Sequence, residues 1–412
     1  MATAQHLLAQ TLTLPNGSVL PNRLAKSALS ETLGTMDNRV TPALVRLYER
    51  WAQGGTGLLI TGNIMVDRRA LGEPGNVVIE DDRDLALLKA MAEGVARHGS
   101  RLWAQINHPG KQSPKGLNRE NVSPSAIPFG KQMQAFFDTP RELTEPEILD
   151  IIARFGRAAG VVKQAGFHGV QIHGAHGYLV SQFLSPKHNV RTDGWGGSAE
   201  NRRRFVLAVY QAMRDAVGPD FPIGIKLNSA DFQRGGFTEE ESLATIQALA
   251  AVGIDLVEIS GGTYEAPAMA GKKTSTIERE AYFLEFAEKV RQHISTPLMV
   301  TGGFRTLAAM GNALNSGAMD IVGLGRPLCI EPDAPLRLLA GEETRHRVKM
   351  ISTGIKQVDD MALMEVMWYV RQLHRMSRGE NPKPNESALW SLLANLATNM
   401  RGTLKTRRLR AS

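Results

Sequence analysis

Short apolar runs return eight times between Leu24 and Gly323, and a segment with helical signals follows nearly every one. The runs are Leu24–Leu29, Gly57–Thr61, Leu102–Ile106, Gly169–His173, Ile223–Leu227, Leu256–Ser260, Leu298–Thr301 and Ile321–Gly323. Runs this short suit buried strands rather than helices. Eight strands alternating with helices and joined by parallel connections predict an α/β fold, the TIM (β/α)8 barrel. The competing arrangement is an open doubly wound sheet. No Gly-rich dinucleotide fingerprint follows the first run, which disfavours it.

Local signals between the runs agree. Thr41-Pro42 reads as an N-cap followed by proline at the first helical position. Thr144–Glu147 and Thr238–Glu241 read as capping boxes. After Thr144, Ile148, Ile151, Ile152, Phe155, Ala159 and Val162 fall on one helical stripe. Residues 12–20, LTLPNGSVL, predict a β-hairpin around Asn16-Gly17 that plugs one end of the barrel. The barrel is expected over residues 1–340 and a C-terminal helical extension with a basic tail over 341–412. In the extension, residues 355–376 read as helical, Asn381–Pro384 as a break, and Leu389, Leu392, Leu393, Leu396 and Met400 as a second amphipathic helix. Such an extension packs on the barrel or on a second subunit, and a homo-oligomer is compatible with it. A membrane-surface helix is the other reading.

Composition limits the function classes. At 42% hydrophobic residues the chain can build a sizeable core, which excludes wholesale disorder. A single cysteine, Cys329, excludes an internal disulfide and an iron–sulfur cluster, and points to a reducing, cytoplasmic setting. The N-terminus lacks the pattern of a signal peptide, and no apolar run is long enough to predict a membrane span. Part of the +7 net charge sits in Arg401, Lys405, Arg407, Arg408 and Arg410, which read as a solvated tail rather than a nucleic-acid arm.

The chemistry is expected where strands end. The stretch QIHGAHGY, Gln171–Tyr178, places His173 at a strand end and carries His176 and Tyr178 on the following Gly-flanked turn. Two neutral imidazoles could converge on one oxygen, with a phenol to supply a proton. By strand parity Gln105 and Lys226 point into the barrel. Burying them requires polar partners, either a polar aromatic cofactor or an internal ion pair. The seventh and eighth runs end in Thr301-Gly302-Gly303-Phe304 and Gly323-Leu324-Gly325-Arg326. Glycine turns there suit a phosphate, and Arg326 adds a bidentate contact. The insertion Asn107–Pro140, rich in Pro, Gly, Asn and Lys, reads as a long loop shaping a substrate pocket.

His173-Gly-Ala-His176-Gly-Tyr178, then Phe183-Leu184-Ser185-Pro186, Asn189, Arg191-Thr192-Asp193, Gly196-Gly197-Ser198 and Glu200-Asn201-Arg202, closely resembles the signature of the old yellow enzyme family. Further matches are Asn22-Arg23-Leu24, Gln105 with His108-Pro109-Gly110, and Gly323-Leu324-Gly325-Arg326-Pro327. The resemblance spans about residues 10 to 335. It implies an FMN-binding barrel using NADH or NADPH to reduce an activated alkene by ping-pong hydride transfer. It implies that Ala28, Leu29 and Ser30 lie along the flavin, that Gly62 and Asn63 contact it, and that Gln105 bonds its pyrimidine edge. It places Lys226 near N1 and Gly302, Gly303, Gly325 and Arg326 around the phosphate. His173 and His176 would bind the substrate oxygen, and Tyr178 would donate the proton.

Two positions depart from the family pattern. Ser30 stands where relatives often carry cysteine or threonine, and Lys226 replaces a frequent arginine, keeping charge but not the fork. Three other functions compete: an FMN-dependent dehydrogenase of amines or saturated carbonyl compounds, a metal hydrolase using His173 and His176, and a non-catalytic flavin-binding or sensor protein.

Overall fold

The computed structural model describes residues 3–263, 281, 283–349, 351–355 and 363–393. Eight parallel strands form its centre: β1 (Leu24–Lys26), β2 (Leu58–Met65), β3 (Arg101–Asn107), β4 (Gly169–Gly174), β5 (Ile223–Asn228), β6 (Leu256–Ser260), β7 (Leu298–Thr301) and β8 (Ile321–Leu324). Each pairs with the next, and β8 pairs back to β1, so the sheet closes into the expected (β/α)8 barrel.

Helices cover the outside: α1 (Pro42–Gln53), α2 (Leu85–Ala96), α3 (Glu145–Gln164), α4 (Ala199–Val217), α5 (Glu239–Ala251), α6 (Leu284–Arg291), α7 (Leu307–Asn315) and the short α8 (Arg326–Ile330). Thr41 caps α1 through its side chain, and both capping boxes form at Thr144 and Thr238. The stripe of α3 from Ile148 to Val162 is buried against the barrel.

Strand alternation sorts the barrel interior into two levels. The lower level is apolar: Ala25, Leu58, Ile60, Trp103, Leu256, Met299 and Ile321, closed from below by Leu14 and Leu20 of the hairpin. That hairpin pairs Leu12–Thr13 with Val19–Leu20 in antiparallel register, as the sequence predicts. Trp103 fills the lower level because β4 and β5 bring glycine to it. A Cβ at Gly169 or Gly224 would lie 2.5 or 2.8 Å from the indole.

The upper level is polar. Gln105 donates to Gln171 (2.8 Å), Gln171 to Glu258 (2.8 Å), and Thr301 to the other Glu258 oxygen (2.7 Å). Lys226 sits beside Glu258 in register and forms an ion pair with it at 3.0 Å. Ser27 and Thr301 share a hydrogen bond at 2.7 Å.

Some elements were not visible in the sequence. A helix, Ala4–Ala9, precedes the hairpin, and Val77–Val78 pairs with the end of β2. The insertion after β3 is not a bare loop, since Val122–Ser123 pairs in parallel with Arg141–Glu142. In the extension, helix α9 (Leu363–Ser377) lies against α1 and α8. Trp368, Tyr369, Leu373 and Met376 enter the same core as the barrel helices. Arg46 donates to the Ser377 carbonyl (2.9 Å), and His374 Nε2 bonds the Glu31 carbonyl (2.9 Å) and the Thr32 hydroxyl (3.1 Å). Leu396, Met400 and the basic tail lie outside the described residues.

Candidate active site

Ten of the candidate residues line one cavity at the C-terminal ends of the strands: Ala28, Leu29, Ser30, Gly62, Asn63, Gln105, His173, His176, Tyr178 and Lys226. Their convergence follows from register. Asn63 pairs with Gln105 across β2 and β3, Gln105 with Gln171 across β3 and β4, and His173 with Lys226 across β4 and β5. Asn63 reaches the inner face because the β2–β3 register shifts between Ile60 and Asn63.

The histidines and the tyrosine form a continuous polar chain. His173 Nδ1 bonds Asn63 Oδ1 at 2.7 Å, His173 Nε2 bonds His176 Nδ1 at 3.2 Å, and His176 Nε2 bonds Ser260 Oγ at 2.9 Å. The Asn63 amide stands 3.5 Å from the Tyr178 hydroxyl, and the Tyr178 and His173 rings lie 4.6 Å apart. All four ring nitrogens therefore have protein partners: an amide, a hydroxyl and each other. Ser260 and Asn63 are the members of this chain that sequence reasoning missed in that role.

His176 holds a backbone conformation unusual for a side chain, with φ +62°, and Gly177 follows at +80°. Asn228 Oδ1 accepts the His176 N–H at 3.2 Å and pins this turn. Burial, with the nearby positive Lys226, pushes the His176 imidazolium down to about 3. Burial also holds His173 well below the ordinary histidine range, helped by His176 and Lys226. Both rings are neutral at physiological pH and each carries one N–H.

Lys226 answers the question left open by parity: it has an internal ion-pair partner in Glu258 and also faces the cavity. Gln105 likewise bonds Gln171 while lining the cavity. Beneath Gly62 lies a second polar cluster. Tyr48 donates to Glu31, the Gly62 N–H donates to Glu31 (2.8 Å), and Lys26 reaches the Tyr48 hydroxyl (3.1 Å) and the Ile60 carbonyl (2.7 Å). Gly62 has no room for a side chain, since a Cβ would lie 2.0 Å from Glu31 Oε2.

The remaining four candidates are off this lining. Gly302 and Gly303 follow β7 with φ of +128° and +88°, a path open to glycine that turns the backbone sharply. Gly325 abuts Leu29 of the cavity wall, with 3.5 Å from a built Cβ to Leu29 Cδ2. Arg326, expected to be turned toward a phosphate, is paired with Glu365 of α9 at 2.6 Å. The site as a whole offers amide, hydroxyl and ammonium donors along one cavity, with glycine turns beside it. That donor set fits a flat heteroaromatic ring with acceptor atoms along one edge, and so fits FMN.

A family model described as the NADH:flavin oxidoreductase / NADH oxidase family matches residues 10–345. The chain is 36% identical over 409 residues to the NADH-dependent flavin oxidoreductase iccE of Talaromyces variabilis, covering 90% of this chain and 98% of that protein. Among solved structures, 2-naphthoyl-CoA reductase in complex with 2-naphthoyl-CoA matches with a TM-score of 0.76 and 27% identity over 82% of this chain. The match takes in 53% of that reductase, so the chain spans about half its length. Morphinone reductase in complex with tetrahydroNAD matches with a TM-score of 0.69 and 26% identity, covering 82% of this chain and 92% of that one.

Proposed function

This chain belongs to the NADH:flavin oxidoreductase / NADH oxidase family, the old yellow enzymes, and from that premise we propose that it reduces the activated C=C bond of α,β-unsaturated carbonyl or nitro compounds. FMN is its cofactor and a reduced nicotinamide, NADH or NADPH, its hydride donor. Bound FMN supplies the carrier that takes hydride from the nicotinamide and delivers it to the alkene.

One observation carries the reading: His173, His176 and Tyr178 share a cavity with Gln105 and Lys226. We assign Gln105 and Lys226 to the polar edge of the ring. Ala28, Leu29, Ser30, Gly62 and Asn63 form the wall it rests on. Gly302, Gly303 and Gly325 offer backbone N–H groups to the phosphate, and Arg326 offers its guanidinium.

His173 and His176 hold the substrate oxygen. Being neutral, they donate without a charge that must first be desolvated. A carbonyl oxygen entering the cavity competes with the His173–His176 bond; for both rings to donate to it, the His173 proton sits on Nε2 and the Asn63 amide turns so that its N–H donates to His173 Nδ1. Negative charge then builds on that oxygen next to two fixed donors. Tyr178 gives its phenolic proton to the α-carbon, with Asn63 orienting both the phenol and His173.

Stopped-flow kinetics tests the assignment. Tyr178→Phe is expected to slow oxidation of the reduced protein by cyclohexenone about 10²-fold or more while leaving reduction by NADH near wild type. Equal losses in both half-reactions would remove Tyr178 from the proton-donor role.

A further inference from the structure

Helix α9 of the extension reaches the wall of the cavity through a side chain that the reaction above does not use. His374 stands on its last turn. Leu373 and Met376 anchor that turn in the core, and Arg46 of α1 donates to the Ser377 carbonyl at 2.9 Å. The His374 Nε2 lies 2.9 Å from the Glu31 carbonyl oxygen and 3.1 Å from the Thr32 hydroxyl oxygen. Burial holds the ring below the ordinary histidine range, so at physiological pH it is neutral and carries one N–H. A carbonyl only accepts, so that proton is on Nε2 and is shared between the two oxygens.

The residues it reaches form the turn that ends the wall. Ala28, Leu29 and Ser30 line the cavity. The Glu31 side chain then passes beneath Gly62, where its carboxyl accepts the Gly62 N–H at 2.8 Å and the Tyr48 hydroxyl. Thr32 follows at φ +52°, a conformation in which a β-branched residue is strained. Such strain persists only where the surroundings over-determine it. The loop after β2 closes one side. Its Gly75 carbonyl accepts the Gly34 N–H at 2.8 Å, and a Cβ on Gly75 would lie 2.9 Å from the Thr32 carbonyl oxygen. His374 closes the other side.

We propose that His374 is a positioning residue for the flavin. By holding Glu31 and Thr32 in this turn it sets the wall formed by Ala28, Leu29, Ser30 and Gly62, and so couples the docking of α9 to occupation of the cavity. The coupling runs both ways. A ring resting on the wall favours the turn, and the turn in place presents His374 with its acceptors. Without the His374 N–H, Thr32 is free to relax out of its strained conformation, and the Glu31 carboxyl loses its placement under Gly62. This contact acts on the wall assigned to the ring. The other link of α9 to the site, Glu365 with Arg326, acts where the phosphate is assigned, so the two are distinguishable by ligand.

This inference rests on the assignment of that wall to the flavin, and its test separates the two. Binding of FMN and of riboflavin is measured by flavin fluorescence for wild type, His374→Leu, His374→Gln, Thr32→Gly and His374→Leu combined with Thr32→Gly. His374→Leu is expected to weaken both ligands alike, by about ten-fold, because the lost hydrogen bond acts on the ring and not on the phosphate. His374→Gln keeps an N–H donor and is expected to retain most of the affinity. Glycine adopts the turn without strain, so in the Thr32→Gly background His374→Leu is expected to cost little, a rescue that mere loosening of α9 would not give. A loss as large in the combined variant as in His374→Leu alone, or a loss confined to FMN, would overturn the proposal. Hydrogen exchange of the flavin-free proteins follows the loop over residues 27–41 directly. Faster exchange there in His374→Leu supports the positioning role, and exchange equal to wild type defeats it. Faster exchange with unchanged affinity for both flavins would instead fault the placement of this wall against the ring.

Discussion

The two levels of the barrel interior are built by the same strands with the same alternation, yet they do opposite things. The lower level is apolar and sealed, with Trp103 filling the space left by Gly169 and Gly224. It gains from burial alone and presents no group to a ligand. Two residues further along the same strands, the inward positions become Gln105, Gln171, Lys226 and Glu258. Burying these costs several kcal/mol, roughly, unless each finds a partner. They find one another: Gln171 and Lys226 meet at Glu258, together with Thr301, and Gln105 joins them through Gln171. The difference teaches that polarity above Trp103 is retained for what it faces, since an apolar filling would hold the barrel together at least as well.

The comparison breaks most visibly at Glu258. Glu258→Ala would leave Lys226, Gln171 and Thr301 without their acceptor in a buried layer. A loss of about 3–5 kcal/mol or more in denaturant unfolding is expected. The purified variant is also expected to retain less FMN, because Lys226 loses the group that aims it. A variant as stable and as yellow as wild type would show that the upper level is not organised around this carboxylate.

The matching change below is Trp103→Ala, with an expected loss of about 3–5 kcal/mol from the cavity left behind. Here the flavin spectrum and the rate of reduction by NADH should stay near wild type once folded protein is compared. A large change in either would mean that the two levels are not separable. For the histidines the largest expectation is functional. His173→Ala or His176→Ala should each lower alkene reduction about 10²–10³-fold, or about 3 kcal/mol of transition-state stabilisation. Unchanged affinity of the double variant for a phenolic ligand would take both rings out of the oxygen site.

The lower level and the strand ends were legible in the sequence for one reason: alternation and turn chemistry are local. The eight runs, the Asn16-Gly17 hairpin, both capping boxes and the His173–Tyr178 turn all follow from neighbours in the chain. What stayed hidden depends on register or on contacts far apart in sequence. Parity carried through Gly57–Thr61 would turn Asn63 outward, and only the register shift after Ile60 brings it beside Gln105. Glu258 stands within the run Leu256–Ser260, but nothing local says that it sits opposite Lys226. A helix within residues 355–376 was expected from the sequence, and α9 spans Leu363–Ser377, whereas its pairing with Arg326 was not legible.

A smaller effect separates the levels by pH. Burial holds His108 down to about 4 and His188 down to about 3, and it holds His173 well below the ordinary range. In the unfolded chain these rings titrate near 6.5, so the unfolded state binds more protons below that value. Stability is therefore fully present above about pH 6.5 and is lost as pH falls toward the folded values, by up to about 1.4 kcal/mol per pH unit for each ring. The nine residues of the lower level contain no titratable group. His173→Asn should flatten the acid limb of a melting-temperature profile by one proton, whereas Trp103→Ala should shift the whole profile without changing its slope.

The smallest expected effect lies at the rim, where α9 meets the barrel. Arg326 and Glu365 form a pair that is 33% and 24% exposed, so its loss should change stability by less than about 1 kcal/mol. Its effect on a ligand is another matter. A phosphate seated by Gly302, Gly303, Gly325 and Arg326 would share the guanidinium with Glu365 and be repelled by its charge. Glu365→Gln keeps the shape and removes that charge. FMN affinity should therefore rise, by about five-fold, or about 1 kcal/mol, at low ionic strength, and the gain should fade as salt is added. Riboflavin, which lacks the phosphate, should bind both proteins alike and serves as the internal control. If FMN affinity is unchanged while α9 becomes easier for a protease to cleave, then Arg326 serves to pin the extension, and the phosphate is held by the glycine turns alone.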